Sequence, residues 1–395
     1  MLMTFLLSIF ILLLFAIILG SLFEYYGLPS VIGEILAGFI LGKAVLDLVL
    51  PSTIISSISE ISLFFIVLLI GVESTTYTLV KNVKKGIILS ASSFIVPLLI
   101  MLLFLKIFYG KFGPSDIILA VSIGVPSISI ISVLLNKYDL MKYEMGNSIL
   151  ASVIFTDIIA FVILSAVVDL KRLNYELVSI VIFLVLIFVT DHYLRKHSKS
   201  VTAFFEKLRY QSKSEKLVFG SIILSGLIVA SILDEIGITY VLGAFFAGIL
   251  ISDVIIGKEL IGIITRTLGR LNDSFFIPLF FSIAGMNAVF PTFGSLGEMT
   301  LLIMITVVVG GSLDYYVGRK YFSKGSGRVT AGILGGRGAV GVIIATIALE
   351  ANILSANQYS AAIFATMIVS VTFSVLLMNQ QDKILLEQER NGVKI

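Results

Sequence analysis

The sequence predicts an all-α polytopic membrane protein of about 13 transmembrane helices, arranged as two inverted six-helix repeats with two crossed discontinuous helices. Three observations carry this. The 395-residue chain is 58% hydrophobic and only 13% charged, whereas soluble domains carry about 25% charged residues. Its apolar residues gather into runs of the ~20 residues that cross a bilayer. Gly27 to Ile40 (GLPSVIGEILAGFI) also returns as Gly237 to Leu250 (GITYVLGAFFAGIL). The two stretches match at Gly27/Gly237, Val31/Val241, Gly33/Gly243, Ala37/Ala247 and Gly38/Gly248, at a constant offset of 210.

The spans run, in order, 2–22, 29–48, 53–79, 86–109, 115–136, 143–168, 176–194, 215–234, 237–256, 258–290, 297–318, 328–350 and 356–379. The first lacks the basic start and A-x-A cleavage site of a secretory signal, so it is expected as a mature helix. The tenth opens with Arg266, Arg270 and Asp273, so its first part is expected at the membrane interface. Residues 1–168 form the first repeat and 215–380 the second. Residues 169–214 are expected to be a linker helix and basic loop, and 381–395 a short cytoplasmic tail, without a fused nucleotide-binding domain. An even repeat followed by one linker helix makes the second repeat enter from the opposite face, an inverted topology.

Basic residues set the orientation. Lys81, Lys84 and Lys85 are expected in the 3–4 loop. Arg195, Lys196, Lys199, Lys207, Arg209, Lys213 and Lys216 fall in the 7–8 loop, and Arg319, Lys320, Lys324 and Arg328 in the 11–12 loop. Asp234, Glu235 and Glu350 fall on the other side. The N-terminus is therefore expected outside and the C-terminus in the cytoplasm, for a multi-pass protein of the cell membrane. Lys106 and Lys111 in the 4–5 loop run weakly against this.

Composition narrows the chemistry. Without cysteine there is no disulfide or thiolate metal site. His192 and His197 share one basic loop, so no span offers histidines for haem or catalytic zinc. No G-x-S-x-G in context supports a membrane hydrolase. Asp157 sits mid-span in SVIFTDIIAF. A carboxylate at that depth costs roughly 2.5–3.5 kcal/mol on insertion scales and is functional by default; the alternative is a structural acid capped by a nearby hydroxyl. Span 115–136 holds Gly124, Val125, Pro126 and Ser127 at its centre. Pro126 removes an N–H and clashes with the preceding turn. The matching span of the second half carries Gly332, Gly335, Gly336 and Gly338 around Arg337. Two interrupted helices at equivalent positions point to a transporter site, against the alternative of a proline kink plus close glycine packing. The opposed dipole ends and the carboxylate suit a hard monovalent cation, with a proton competing for the same oxygens. The backbone of Val125 to Ile128 and the hydroxyls of Thr156, Ser127 and Ser129 are further ligand candidates. Glu73 is expected to pair with Arg337 as a structural ion pair. Glu34 is expected to snorkel to the interface, and Asp314, beside Tyr315 and Tyr316, to take an interfacial role.

The segments LPSVIGEILAGFILG (28–42), EISLFFIVLLIGVES (60–74), GITYVLGAFFAGILIS (237–252), FIPLFFSIAGM (276–286) and GGRGAVGVIIA (335–345) resemble, in order along the whole chain, the monovalent cation:proton antiporter superfamily of sodium/proton and Kef-type exchangers. That resemblance implies a homodimer, a dimerisation domain, and a six-helix core that moves like an elevator. It also implies that Asp157 is the ion-binding aspartate. Thr156 stands where the family has Asp, Asn or Gln. The lysine that two-aspartate members carry in the span equivalent to 297–318 is missing here too. Arg337-Gly338-Ala339 replaces a frequent Arg-Gly-Glu. The expected function is therefore Na⁺ (or Li⁺ or another monovalent cation)/H⁺ exchange at Asp157. One carrier carboxylate with no lysine partner makes electroneutral exchange the expectation. A Kef-like K⁺/H⁺ exchanger or K⁺ efflux protein is the second reading, and a sodium-coupled organic-anion symporter the third. No catalytic residue, resident cofactor or nucleic-acid partner is expected; the partners are cations, protons and the lipid bilayer.

Overall fold

A computed structural model describes residues 5–73, 76–110, 112–138, 140, 143–168, 215–235, 240–250, 258–323 and 325–378. The described residues are helical, apart from turns and one isolated bridge. In chain order the helices are α1 (Phe5–Tyr25), α2 (Ser30–Leu41), α3 (Thr53–Glu73), α4 (Thr76–Ser90), α5 (Val96–Tyr109), α6 (Pro114–Gly124), α7 (Ile128–Lys137) and α8 (Glu144–Val168). They continue with α9 (Glu215–Glu235), α10 (Tyr240–Leu250), α11 (Lys258–Leu271), α12 (Ile277–Met286), α13 (Phe293–Met304), α14 (Gly311–Tyr321), α15 (Ser326–Leu334), α16 (Ala339–Glu350) and α17 (Ala356–Met378). π-helical turns at Ala91–Ile95, Asn272–Phe276 and Ile305–Gly310 join α4 to α5, α11 to α12 and α13 to α14.

Each predicted span but the seventh coincides with a helix or an interrupted helix. The seventh lies outside the described residues. Among those residues, six helices are long and apolar enough to cross a membrane, α1 and α17 included. Large apolar side chains such as Leu6, Phe10, Ile18, Leu99, Leu103 and Val308 face outward, as they do where the solvent is lipid. Three details correct the sequence reading. Span 29–48 is too long: α2 ends at Leu41, with Gly42 and a turn whose Asp47 has φ 52°. Lys84 and Lys85 lie in a helix, not in the 3–4 loop, with Lys81 one residue before a kink at Asn82 (φ −112°, ψ 16°). Arg319, Lys320 and Arg328 likewise belong to the helices flanking the 11–12 turn.

The chain divides into two compact units. One is formed by Met1–Ser59, Thr78–Ala160 and Pro278–Ile395, the other by Glu60–Tyr77 and Phe161–Ile277. Each draws on both halves of the sequence. In the first unit Leu12, Leu41, Val49, Ile55, Leu279, Ile283 and Met286 form a buried cluster. Its helices close to backbone contact: a Cβ on Gly38 would lie 1.7 Å from Ser282 O, and one on Gly285 2.0 Å from Ile35 O. The second unit repeats the pattern. A Cβ on Gly248 would lie 2.4 Å from Leu68 O, and one on Gly71 2.2 Å from Phe245 O. Gly38 and Gly248, and Ile35 and Phe245, are each 210 residues apart. Gly33 packs on Leu19 and Gly20 as Gly243 packs on Ala230, again at that offset for Gly20/Ala230. The duplicated glycines thus mark places where one helix lies against the backbone of another.

Candidate functional site

The predicted interruptions are present. Between α6 and α7, Val125 is extended (φ −72°, ψ 126°), and α15 and α16 are separated by residues 335–338. Val125 and Gly335 are 210 residues apart, as are Ser127 and Arg337. The two extended segments pair: Pro126 and Arg337 form an antiparallel bridge, and the Ser127 N–H donates to Gly336 O at 2.8 Å. Pro126 has no N–H to offer the Ser122 carbonyl one turn back. Gly341 of α16 lies over that carbonyl; a Cβ there would be 2.1 Å from it. Gly335 admits the Phe373 ring of α17, which a Cβ would meet at 1.9 Å. The helix ends at the two breaks therefore converge on one short stretch of backbone.

Arg337 is 1% exposed. Ser370 of α17 holds its backbone: its Oγ accepts the Arg337 N–H at 2.9 Å and donates to the Arg337 carbonyl. The guanidinium donates to Leu334 O, at the carbonyl end of α15, and through Nη2 to Ser93 O at 3.0 Å. A cation beside the last carbonyls of a helix is favoured by its dipole. The Glu73 side chain lies outside the described residues.

Asp157 lies near the middle of the 25-residue α8 and is 0% exposed. Neither carboxylate oxygen has a hydrogen-bond partner among the described residues. Next to it, the Thr156 hydroxyl donates to Val153 O at 2.7 Å. Its proton is committed to its own helix, which leaves the oxygen lone pairs as its contribution to a site. Helix α8 is seated against α4, where Gly86 lies close to Ala151 and Phe155, and against α15, where Thr330 meets Met145 at 3.8 Å. Ser127 is fully buried at the break; the Ser129 side chain lies outside the described residues. Among the described residues no group of three acidic, histidine or cysteine side chains is placed to hold a metal ion.

Two expectations are corrected. Glu34 does not reach outward: it is 4% exposed and packs against Gly20 of α1. Asp314 is not interfacial. It is 1% exposed, and its Oδ1 accepts from Ser92 Oγ at 2.7 Å. Asp314, Ser92, Ser93 and Ser370 were missed. For Asp314 the signal was available, since it is an acid inside an apolar span; neighbouring Tyr315 and Tyr316 drew the reading toward the interface.

A membrane protein whose described residues are helical, with two interrupted helices paired at their breaks and a carboxylate buried mid-helix in the same unit, has the make-up of an ion-coupled secondary transporter. The family model described as "Sodium/hydrogen exchanger, transmembrane" matches residues 9–379, and the chain belongs to that family. A Na⁺/H⁺ antiporter of Enterococcus hirae is 26% identical over 94% of this chain and 96% of its own length. The Na⁺/H⁺-K⁺ antiporter GerN of Bacillus cereus is 23% identical over 89% and 90%. The fold is similar to that of the sodium proton antiporter MjNhaP1 of Methanocaldococcus jannaschii, at TM-score 0.69 and 20% identity over 100% of both chains.

Proposed function

We propose that the protein exchanges Na⁺, or another monovalent cation, for H⁺ by alternating access, with the two competing for Asp157. The fully buried carboxylate, neither of whose oxygens has a hydrogen-bond partner among the described residues, carries this reading. A buried charged group without partners costs upwards of about 1–3 kcal/mol. Binding a proton or a cation removes that cost, and the two cannot occupy the same oxygens together. Thr156, Ser127, Ser129 and the backbone at Val125 are the neutral ligands proposed to complete the cation site. One carrier carboxylate makes the exchange electroneutral. The matched glycine contacts and the 210-residue spacing of the breaks support two inverted repeats with crossed broken helices. Elevator motion of a homodimer, in the cell membrane with the N-terminus outside, completes the proposal. No resident cofactor takes part.

Cation-induced proton movement in proteoliposomes under Na⁺, Li⁺ and K⁺ tests this, with Asp157→Asn in parallel. Na⁺- or Li⁺-driven movement that the substitution abolishes is the expected result. Full activity in Asp157→Asn, or no proton movement with any of the three ions, would sink the mechanism. The similarity to GerN, whose name includes potassium, favours K⁺ exchange as the second reading; a response to K⁺ alone would establish it. A strong effect of imposed membrane potential on the equilibrium would refute electroneutrality.

A further inference from the structure

Arg337 and Asp314 are both buried, at 1% exposed each, and belong to the same unit. The guanidinium finds hydrogen bonds from neutral carbonyls, Leu334 O and Ser93 O, but those do not cancel its charge. Its Nε has no hydrogen-bond partner among the described residues. In a low-dielectric interior a guanidinium of this kind needs an opposite charge within reach. Asp314 supplies it: its Oδ1 accepts from Ser92, the residue next to Ser93, whose carbonyl takes the guanidinium.

The π-helical turn Ala91–Ile95 links them. In an α-helix the Ser93 carbonyl would take the N–H four residues on, but that residue is Pro97, which has none. Ser93 O is thereby left for the Arg337 Nη2. The residue before it, Ser92, aims its hydroxyl at Asp314 Oδ1 at 2.7 Å, with Leu89 O at 3.0 Å as the alternative acceptor. The shorter bond to a carboxylate is the stronger of the two. One residue of the turn therefore holds the carboxylate, and the next holds the guanidinium.

We infer that Asp314 is the buried counter-charge of Arg337 and a positioning residue for exchange, holding the second chain break in place through Ser92 and Ser93. The Arg337 backbone is itself bridged to Pro126 across the breaks, so a shift of the second interruption would reach the first. The inference rests on the exchange reading only for its transport readout.

The test is a double-mutant cycle of Asp314→Asn and Arg337→Gln, read in two ways. The first is the melting of detergent-solubilised protein, which needs no transport. Each single variant leaves one buried charge alone and should melt below the wild type; the double variant should melt above the sum of the two losses. The second is proteoliposome kinetics. Asp314→Asn should raise the cation KM by about fivefold or more while the maximal rate falls less, since a misplaced site loses binding geometry. Asp314→Glu should restore KM. Strict additivity in melting, or a wild-type KM and melting temperature in Asp314→Asn, would overturn the inference. Should Arg337→Gln fail to fold, Ser92→Ala leaves both charges in place and should still raise KM by roughly twofold to threefold; an unchanged KM overturns the inference. Coupling of Arg337 to Glu73→Gln with none to Asp314→Asn would overturn it as well. A wild type that moves protons with none of the cations would refute the exchange reading, and the melting cycle would still decide the Asp314 pairing.

Discussion

Gly38→Ala tests the helix contact on which the duplicated motif depends. A Cβ at residue 38 would stand 1.7 Å from Ser282 O, 2.5 Å from its carbonyl carbon and 2.8 Å from its Cα. All three are backbone atoms of α12, so no side chain can swing aside. An ordinary contact needs about 3.4 Å, so the two helices must part by roughly 1.5 Å or more. Gly42 and Gly285 press on the same interface from either side, at 2.8 Å from Met286 O and 2.0 Å from Ile35 O for an added Cβ. Separation would therefore open the packing along the whole contact. Overpacking with side-chain relief costs about 1–3 kcal/mol; with backbone opposed on both sides the loss should reach the top of that range. Fluorescence-detected size exclusion after heating, on a fluorescent fusion in detergent, should show a melting midpoint at least about 5 °C lower. The control is Gly269→Ala, where an added Cβ meets nothing within 4 Å. It should melt as the wild type or slightly higher, because alanine is favoured in a helix by about 1 kcal/mol. Equal melting of Gly38→Ala and Gly269→Ala would refute the reasoning.

Gly248→Ala in the other unit should reproduce the loss, since its Cβ would lie 2.4 Å from Leu68 O; a harmless Gly248→Ala in the same melting assay would argue against equivalent contacts. Tyr359→Phe removes the hydroxyl that donates to Ala284 O at 2.7 Å and should cost about 0.5–1.5 kcal/mol in thermal denaturation. Ser370→Ala leaves the Arg337 N–H and carbonyl without the bonds that hold the second break; stability should fall by about 1–3 kcal/mol, and the exchange rate in proteoliposomes should fall with it. Lys85–Glu144, at 2.6 Å, joins α4 to the start of α8, but its side chains are 28% and 58% exposed. A double-mutant cycle with Met and Gln should return less than about 1 kcal/mol, and less again in high salt.

Some of this was legible in the residues because it is set locally or by composition. The apolar runs fix which segments enter the membrane. Duplicated glycines at a constant offset announce a repeat, since only glycine lets helices approach to backbone contact, as at Gly38 and Gly248. Asp157 stood out because an acid in an apolar run has no local reason to be there. Partnership was not legible. Nothing near Asp314 in the chain indicates Ser92, 222 residues away, and nothing near Glu34 indicates that α1 would cover it. The prolines show the divide most clearly. Pro126 and Pro97 remove the same N–H and leave the same kind of carbonyl behind. At Pro126 the helix opens, because Gly336 O receives the Ser127 N–H and Gly341 lies over Ser122 O. At Pro97 the chain stays helical through a π-helical turn, because Arg337 takes the Ser93 carbonyl. The sequence by itself determined that a backbone group would be orphaned at each proline. Only the tertiary structure decided what came to lie there, Gly341 over Ser122 O and the Arg337 guanidinium on Ser93 O, because each comes from a segment more than 200 residues away.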